Sequence, residues 1–438
     1  MTDLASQARD LQLKFLLISF TDLFGIQRAK LVPTSAVAAM ARDGAGFAGF
    51  AAWLDLSPAD GDVMAIPDGA SLTPLPWQTE VGWVAAELVL AGTPMAQCPR
   101  RLLRRQLERA GALGCELRSG VEAEFFLLGA DGAGIADAAD HQEKPCYDQL
   151  ALMRRYGLIG PLLEAMEGLG WGPYQADHED ANGQFEVNWT FAHALTTADR
   201  HAFFKVMVKT LAEQQGLKAS FMAKPFAERT GNGCHTHLSL WGAPGTAQAG
   251  ANLFHDPAGD LGLSALAYQF LAGLLEHAPA LCALTNPTVN SYRRLAAPPT
   301  SSGATWSPAG ISYSGKNRTH MLRIPDDQRL ELRLPDGSAH PYLLQAAILA
   351  AGLDGIERQL EPGPRHDNDN YAAPLAPETC PRLPADLGEA LDAFDADTRL
   401  RQALGEEFCQ AYGRLRRRQW QRERGDISDA ERRACLDC

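Results

Sequence analysis

The sequence predicts an α+β chain in two parts: a small one built from short strands, and a larger one in which strands alternate with long helices. Three observations carry this. The chain has 438 residues and is 46% hydrophobic, more than the core of one ordinary domain requires. Residues 1–95 hold short β-like runs at 14–22, 28–33, 62–68 and 81–90, punctuated by Pro, Gly and Asp. Beyond Pro99 the apolar spacing predicts helices at about 100–113, 148–156, 158–169, 197–216, 262–284 and 341–360.

The elements follow in order. The boundary is placed at 98/99, giving parts 1–98 and 99–438. The run PYLLQAAILAAGLDGIERQL at 341–360 is apolar around most of its circumference, which predicts a helix buried in the core. Residues 361–385, rich in Pro and Asp, read as a loop, and 386–425 return to helix. No internal repeat is present.

Composition excludes several classes of function. A formal charge of −13 speaks against a nucleic-acid surface, which needs a basic stripe. The basic runs at 99–109 and 414–424 interleave with Leu, Gln and Glu and read as solvated helix faces. The nine cysteines are odd in number and irregularly spaced, and only Cys435 and Cys438 form a CxxC. They predict free thiols in a reducing, cytoplasmic setting. The N-terminus carries early acids and a short apolar run, unlike a signal peptide. No segment reaches the roughly 18 apolar residues of a membrane span.

Gly44-Ala-Gly-Phe-Ala-Gly49 matches GxGxxG but follows a helix-like run. A dinucleotide site demands strand, turn, then helix, so this reads as a Gly-rich turn. No GxxxxGK[ST] occurs, so an ATP site here is not a P-loop.

The chemistry lies on four strand-like segments: 120–126, 179–188, 234–240 and 329–333. A strand shows i, i+2 and i+4 on one face. Glu122 and Glu124 therefore share a face, as do His235 and His237, and Arg329, Glu331 and Arg333. Two carboxylates side by side repel unless a cation or Arg lies between them. With Glu179, Glu186, His235 and Glu331 they form a ligand set of oxygen and imidazole without thiolate, which suits Mg²⁺ or Mn²⁺. Arg294, Arg318, Arg323, Arg329 and Arg333, read as lying on strands and loops, look like a clamp for phosphate and carboxylate groups.

These motifs resemble the glutamine synthetase superfamily. Glu122-Ala-Glu124 matches its metal motif. Glu179 and Glu186 match the glutamates around its Gly-Gln turn, and Gly231 to His237 its Gly-x-Gly-x-His-x-His segment. Asn286 to Arg294, Asn317-Arg318 and Arg329 to Asp336 follow in the family's order. The resemblance implies a β-grasp-like N-terminal domain and a catalytic domain with an antiparallel sheet and flanking helices. It implies one metal on Glu124, Glu179 and Glu186 and another on Glu122, His235 and Glu331. ATP would meet His237, Ser239, Arg318, Arg323 and Arg329. Glutamate would meet Glu124, Gly231, Arg294, Arg318 and Arg333. It also implies a homo-oligomer, two stacked hexameric rings, with each site completed by a neighbour's N-terminal domain.

Two departures matter. The stretch matching the family's ammonium-binding Asp is Gly46 to Trp53, with Ala48 roughly where the acid should be and Phe47 beside it in the expected amine pocket. The loop that carries a proton-accepting Glu in the family runs here from Ala296 to Pro308, contains Trp306 and has no acid. Ammonium wants carboxylates around it; an alkylamine wants apolar contact, worth about 1–3 kcal/mol per methyl group. The pattern is similar to the glutamate–methylamine ligases and a related type III group of glutamine synthetase-like proteins. The reaction expected is ATP-dependent joining of an amine, methylamine first, to the γ-carboxylate of glutamate. Asp177 and Glu186 are the candidates for removing the amine's proton, with Arg318 absorbing charge. Glutamine synthesis from ammonium and ligation of a polyamine or other alkylamine remain as alternatives.

Overall fold

The computed structural model describes residues 3–308, 310–372, 374 and 376–436. Positions 373 and 375 of the predicted 361–385 loop, and Cys438 of the terminal CxxC, lie outside them.

All four predicted N-terminal runs are strands. β1 (Phe15–Thr21), β2 (Gln27–Pro33), β3 (Ala45–Phe47), β4 (Val63–Pro67), β5 (Thr73–Leu75), β6 (Gln78–Leu90) and β7 (Thr93–Pro94) form one sheet. β1 lies parallel to β6; the other pairs are antiparallel. Alternation buries Leu16, Ile18 and Phe20 of β1 with Val63, Ala65, Val84 and Leu88 in a small core drawn from residues 4–98. The Gly44–Gly49 run is not simply a turn. Gly44 (φ +83°) ends the helix Val37–Asp43, a conformation that favours glycine. The next three residues then make β3, which pairs with β4.

The larger part holds β8 (Cys115–Ala123), β9 (Phe125–Leu128), β10 (Pro173–His178), β11 (Gln184–Trp189), β12 (Ala192–His193), β13 (Lys218–Ser220), β14 (Cys234–Gly242), β15 (Tyr313–Ser314), β16 (Leu322–Asp326) and β17 (Arg329–Leu332). One sheet runs β12-β8-β14-β17-β16-β15 and the other β10-β11-β9-β13. Every pair is antiparallel except β15 with β16. Register sets the site: His235 faces Glu122, His237 faces Glu331, and Asp177 faces Glu186.

The helix Pro341–Glu357 is buried from Pro341 to Gly355, as its apolar circumference demands. It packs on the helices Pro99–Ala112 and Ala265–Glu276. The helix predicted at 262–284 is in fact two, Ala265–Glu276 and Ala278–Thr285. Pro279 lacks the N–H needed to continue the first and sits in the first turn of the second. Residues 386–425 likewise divide into Leu387–Ala396, Thr398–Leu404 and Glu406–Gly425. Arg294 lies on a short helix, Val289–Leu295, not on strand or loop.

The basic runs are not purely solvated faces. Arg100 is 3% exposed and meets Asp68, Glu87 and Asp199. Arg416 is 2% exposed, donates to the Leu23 carbonyl and covers the Phe24 ring at 4.3 Å. Both join the N-terminal sheet to the rest, so their burial is compensated by partners. Every cysteine among the described residues is a free thiol.

Candidate active site

The ends of β8, β10, β11, β14 and β17 converge on a small polar cavity of about 110 Å³. Its walls hold Glu122, Glu124, Asp177, Glu179, Glu186, His235, Trp306, Arg318, Arg323, Glu331 and Arg333, with Tyr147 and Gln175. Glu122 also lines a neighbouring cavity of about 530 Å³, together with His237, Ser239 and Arg329. The predicted metal, phosphate and carboxylate groups, all but Arg294 and Gly231, are thus gathered around two spaces that share one wall.

One group of acids is charge-balanced. Glu122 lies 2.8 Å from His237 Nε2 and 3.3 Å from His235 Nδ1. Burial pushes its pKa up, but the two histidines outweigh this and hold it well below the ordinary value. Glu331 accepts from Arg323 Nη1 at 2.6 Å and from Arg333 Nη1. Burial again opposes ionisation, yet Arg333 and the histidines bring its pKa down to about 2.

The other group is not balanced. Asp177, Glu179 and Glu186 can each bring an oxygen within 4.8 Å of the others. Burial, then Glu124 and Asp177 as like charges, push the Glu179 pKa well above the carboxylate range. Burial, then Glu122 and Glu179, do the same to Glu186. Such a cluster is completed by a cation.

The clusters overlap the implied ligand sets. Ligand atoms of Glu122, His237 and Glu331 come within 4.8 Å of one another, and His235 Nδ1 also lies 3.3 Å from Glu122 and 3.9 Å from Glu331. Asp177 groups with Glu179 and Glu186, and Glu124 lines the same cavity. Glu124 accepts from Gln184 Nε2 at 2.9 Å and from the Gly233 N–H at 2.8 Å. Gly233 must be glycine for this approach, since a Cβ there would stand 2.8 Å from Glu124 Oε1 and 2.9 Å from His235 Nε2. The carboxylate and imidazole donors fit a hard divalent ion. Orphaned buried atoms agree with a missing ligand: His237 Nδ1, Arg333 Nε and Nη2, and Trp306 Nε1 have no partner.

Other predicted residues stand behind or away from the cavity. Arg294, 1% exposed, donates to the carbonyls of Leu334 and Trp306, each at 3.2 Å, and so braces the Trp306 loop. Gly231 presents its carbonyl to Gln184 at 3.2 Å. Phe47 packs edge-on against Phe20 at 5.0 Å, and neither it nor Ala48 lines either space.

Several residues were missed that strand alternation could have found. Gln184 and Asn188 share a face with Glu186, and Asn188 Nδ2 donates to Glu186 Oε1 at 2.9 Å. Arg118 precedes Glu122 by four positions and Trp241 follows His237 by four. In the structure the Arg118 guanidinium lies 4.3 Å from the Trp241 ring, and Phe191 stacks on that ring at 6.1 Å. This aromatic wall belongs to the larger cavity. Tyr147 carried no such signal.

A family profile described as glutamine synthetase, catalytic domain, matches residues 96–435. The chain belongs to the glutamine synthetase family. It is 54% identical over 435 residues to a glutamine synthetase of Rhizobium leguminosarum bv. phaseoli, covering 99% of both chains. It is 43% identical over 438 residues to a glutamate–methylamine ligase of Methyloversatilis universalis, covering 97% of each. A solved structure of GmaS with ADP superposes with a TM-score of 0.94 at 57% identity, over 100% of both chains. The fold is the glutamine synthetase fold, and the protein is a ligase of that family. The family uses ATP and divalent metal ions on small-molecule substrates, which accords with the acidic clusters described above. No helix among the described residues is long and apolar enough to cross a membrane.

Proposed function

We propose that the protein joins an amine, methylamine first among them, to the γ-carboxylate of L-glutamate at the expense of ATP, by way of γ-glutamyl phosphate. The observation that carries this is the loop Ala296–Pro308. It supplies Trp306 to the cavity wall and contains no acid. An apolar ring in place of a carboxylate favours an amine with a methyl group over hydrated ammonium. The similarity to a methylamine ligase and to GmaS supports the same reading.

In this reading ATP occupies the larger cavity, its base beside Phe191 and Trp241 and its phosphates toward His237, Ser239, Arg318, Arg323 and Arg329. Two or more Mg²⁺ or Mn²⁺ ions, held by Glu122, Glu124, Glu179, Glu186, His235 and Glu331 with Asp177 and His237 adjoining, would supply countercharge to the phosphates when bound. Arg318 and Arg333 hold glutamate, backed by Arg294, Gly231 and Glu124. Asp177 is raised above the ordinary carboxylate pKa by burial and by Glu122. That makes it, with Glu186, a better proton acceptor for the incoming ammonium form. Residues 1–98 form the β-grasp-like domain and 99–438 the catalytic domain of a cytoplasmic ring assembly, two stacked hexamers. In it a neighbour's Phe47 and Ala48 close the amine site.

A second reading, synthesis of glutamine, draws on the 54% identical relative and on Asp177, Glu179 and Glu186 as acids able to receive ammonium. Comparing kcat/KM for ammonium, methylamine, ethylamine and putrescine, by phosphate release with glutamate, ATP and Mg²⁺, decides between them. Methylamine well ahead supports the alkylamine ligase; ammonium ahead overturns it in favour of glutamine synthesis.

A further inference from the structure

We propose that Asp180 is a positioning residue that latches the acid-free loop over the reacting γ-carboxyl group and keeps water from it, a role that rests on the ligase reading above. Asp180 follows Glu179 in the turn between β10 and β11 and is 4% exposed. Among the described residues no Lys, Arg or His forms an ion pair with it. Its Oδ2 instead accepts three hydroxyls: Thr230 at 2.7 Å, Thr300 at 2.8 Å and Ser302 at 3.0 Å. A buried carboxyl group with only neutral donors is costly to desolvate, so a stability role alone accounts for it poorly.

The three donors come from the two segments that flank the reacting centre. Thr230 precedes Gly231. Thr300 and Ser302 belong to the loop that carries Trp306. One oxygen thus ties that loop to the strand turn bearing Glu179. The far end of the loop is held separately, Ser307 Oγ donating to the Arg294 carbonyl at 2.9 Å. Between the two anchors Trp306 is kept at φ +56°, an unfavourable conformation for a bulky residue that persists only when its surroundings impose it. Release of the Asp180 end frees the Thr300 and Ser302 side of the loop and opens the cavity.

The chemical consequence is specific. With the loop closed, the amine nitrogen attacks the γ-carbonyl carbon of γ-glutamyl phosphate. A C–N bond forms, the C–O bond to phosphate breaks, phosphate leaves with the electron pair, and the surplus proton on nitrogen passes to the departing phosphate. With the loop open, water attacks the same carbon, and glutamate and phosphate are returned without amide. Hydroxyl donors suit a latch that must open each turnover to release product, because each such bond is modest in strength.

The test is the ratio of amide formed to phosphate released by the full-length enzyme with Mg²⁺, ATP, glutamate and its best amine. The variants are T300V/S302A, which removes only the loop's donors, and Asp180→Asn, whose single carbonyl oxygen retains part of the acceptor. We expect one amide per phosphate in the unaltered enzyme, several-fold excess phosphate in T300V/S302A, and an intermediate ratio in D180N. The glutamate KM of T300V/S302A should stay near that of the unaltered enzyme. A one-to-one ratio preserved in folded T300V/S302A overturns the latch alone. Absence of amide with every amine in the unaltered enzyme overturns the ligase reading and the latch with it.

Discussion

At one end of the acid-lined cavity Glu122 and Glu331 sit against His235, His237, Arg323 and Arg333. At the other, Asp177, Glu179 and Glu186 face one another, and among the described residues none of them forms an ion pair. The first group is neutralised by the protein itself, and its acids are held in their charged form. The second is left with like charges, and its acids resist ionisation. Acids of similar type, a few ångströms apart, therefore take opposite states according to what lies beside them. The balanced group is set by folding, whereas the unbalanced group is arranged so that it could hold a metal ion.

The largest effect that would sharpen this contrast is expected from Glu186→Gln. Activity should fall by about 10²–10³, while the thermal midpoint without metal holds or rises, because one like charge has been removed. Added Mg²⁺ should stabilise the unaltered protein by roughly 2–3 kcal/mol at a hundredfold excess over Kd and E186Q much less. A fall in the metal-free midpoint of E186Q would break the distinction. Next comes Glu331→Gln, which strands the buried Arg333 guanidinium and the half-buried Arg323. Denaturant unfolding should show a loss of about 3 kcal/mol, and a neutral result would mean that Arg323 and Arg333 find other partners.

The smallest effect comes from a balanced arrangement outside the cavity. His277 lies 2.5 Å from Asp397 and 3.0 Å from Asp354. Burial lowers its pKa, but the two carboxylates prevail and the net shift is upward. A raised histidine contributes stability that is full below its unfolded pKa of about 6.5 and is lost as pH rises through the folded value. His277→Gln should therefore lower the thermal midpoint more at about pH 6 than at about pH 8.5. Equal losses at both would show that the histidine acts as a neutral hydrogen-bonding group.

Period-two spacing made much of the site legible. It brought Glu122, His235, His237 and Glu331 to one face, and the sheet pairs them there. The same rule reaches Gln184, Asn188, Arg118 and Trp241, whose amide, guanidinium and ring types were passed over because they are common on ordinary strands. Asp180 was illegible for another reason. Its partners Thr230, Thr300 and Ser302 come from distant segments, and hydroxyls carry no motif. The break in the 262–284 helix was written at Pro279 but lost in a long apolar run. The burial of Arg100 and Arg416 depends on the N-terminal sheet packing against their helices, which a helical charge pattern does not disclose.

His235 and Glu122 are 113 residues apart in the chain, yet their meeting depends on a single alignment of β14 with β8. Because side chains alternate, a slip of one position would turn both imidazoles away and present Cys234, Thr236 and Leu238 in their stead. No local stretch of this chain holds even half of the catalytic cluster. The chemistry is a property of sheet closure, set by the frame in which distant strands pair. An insertion of one residue inside β14 would erase it while leaving every ligand present in the composition.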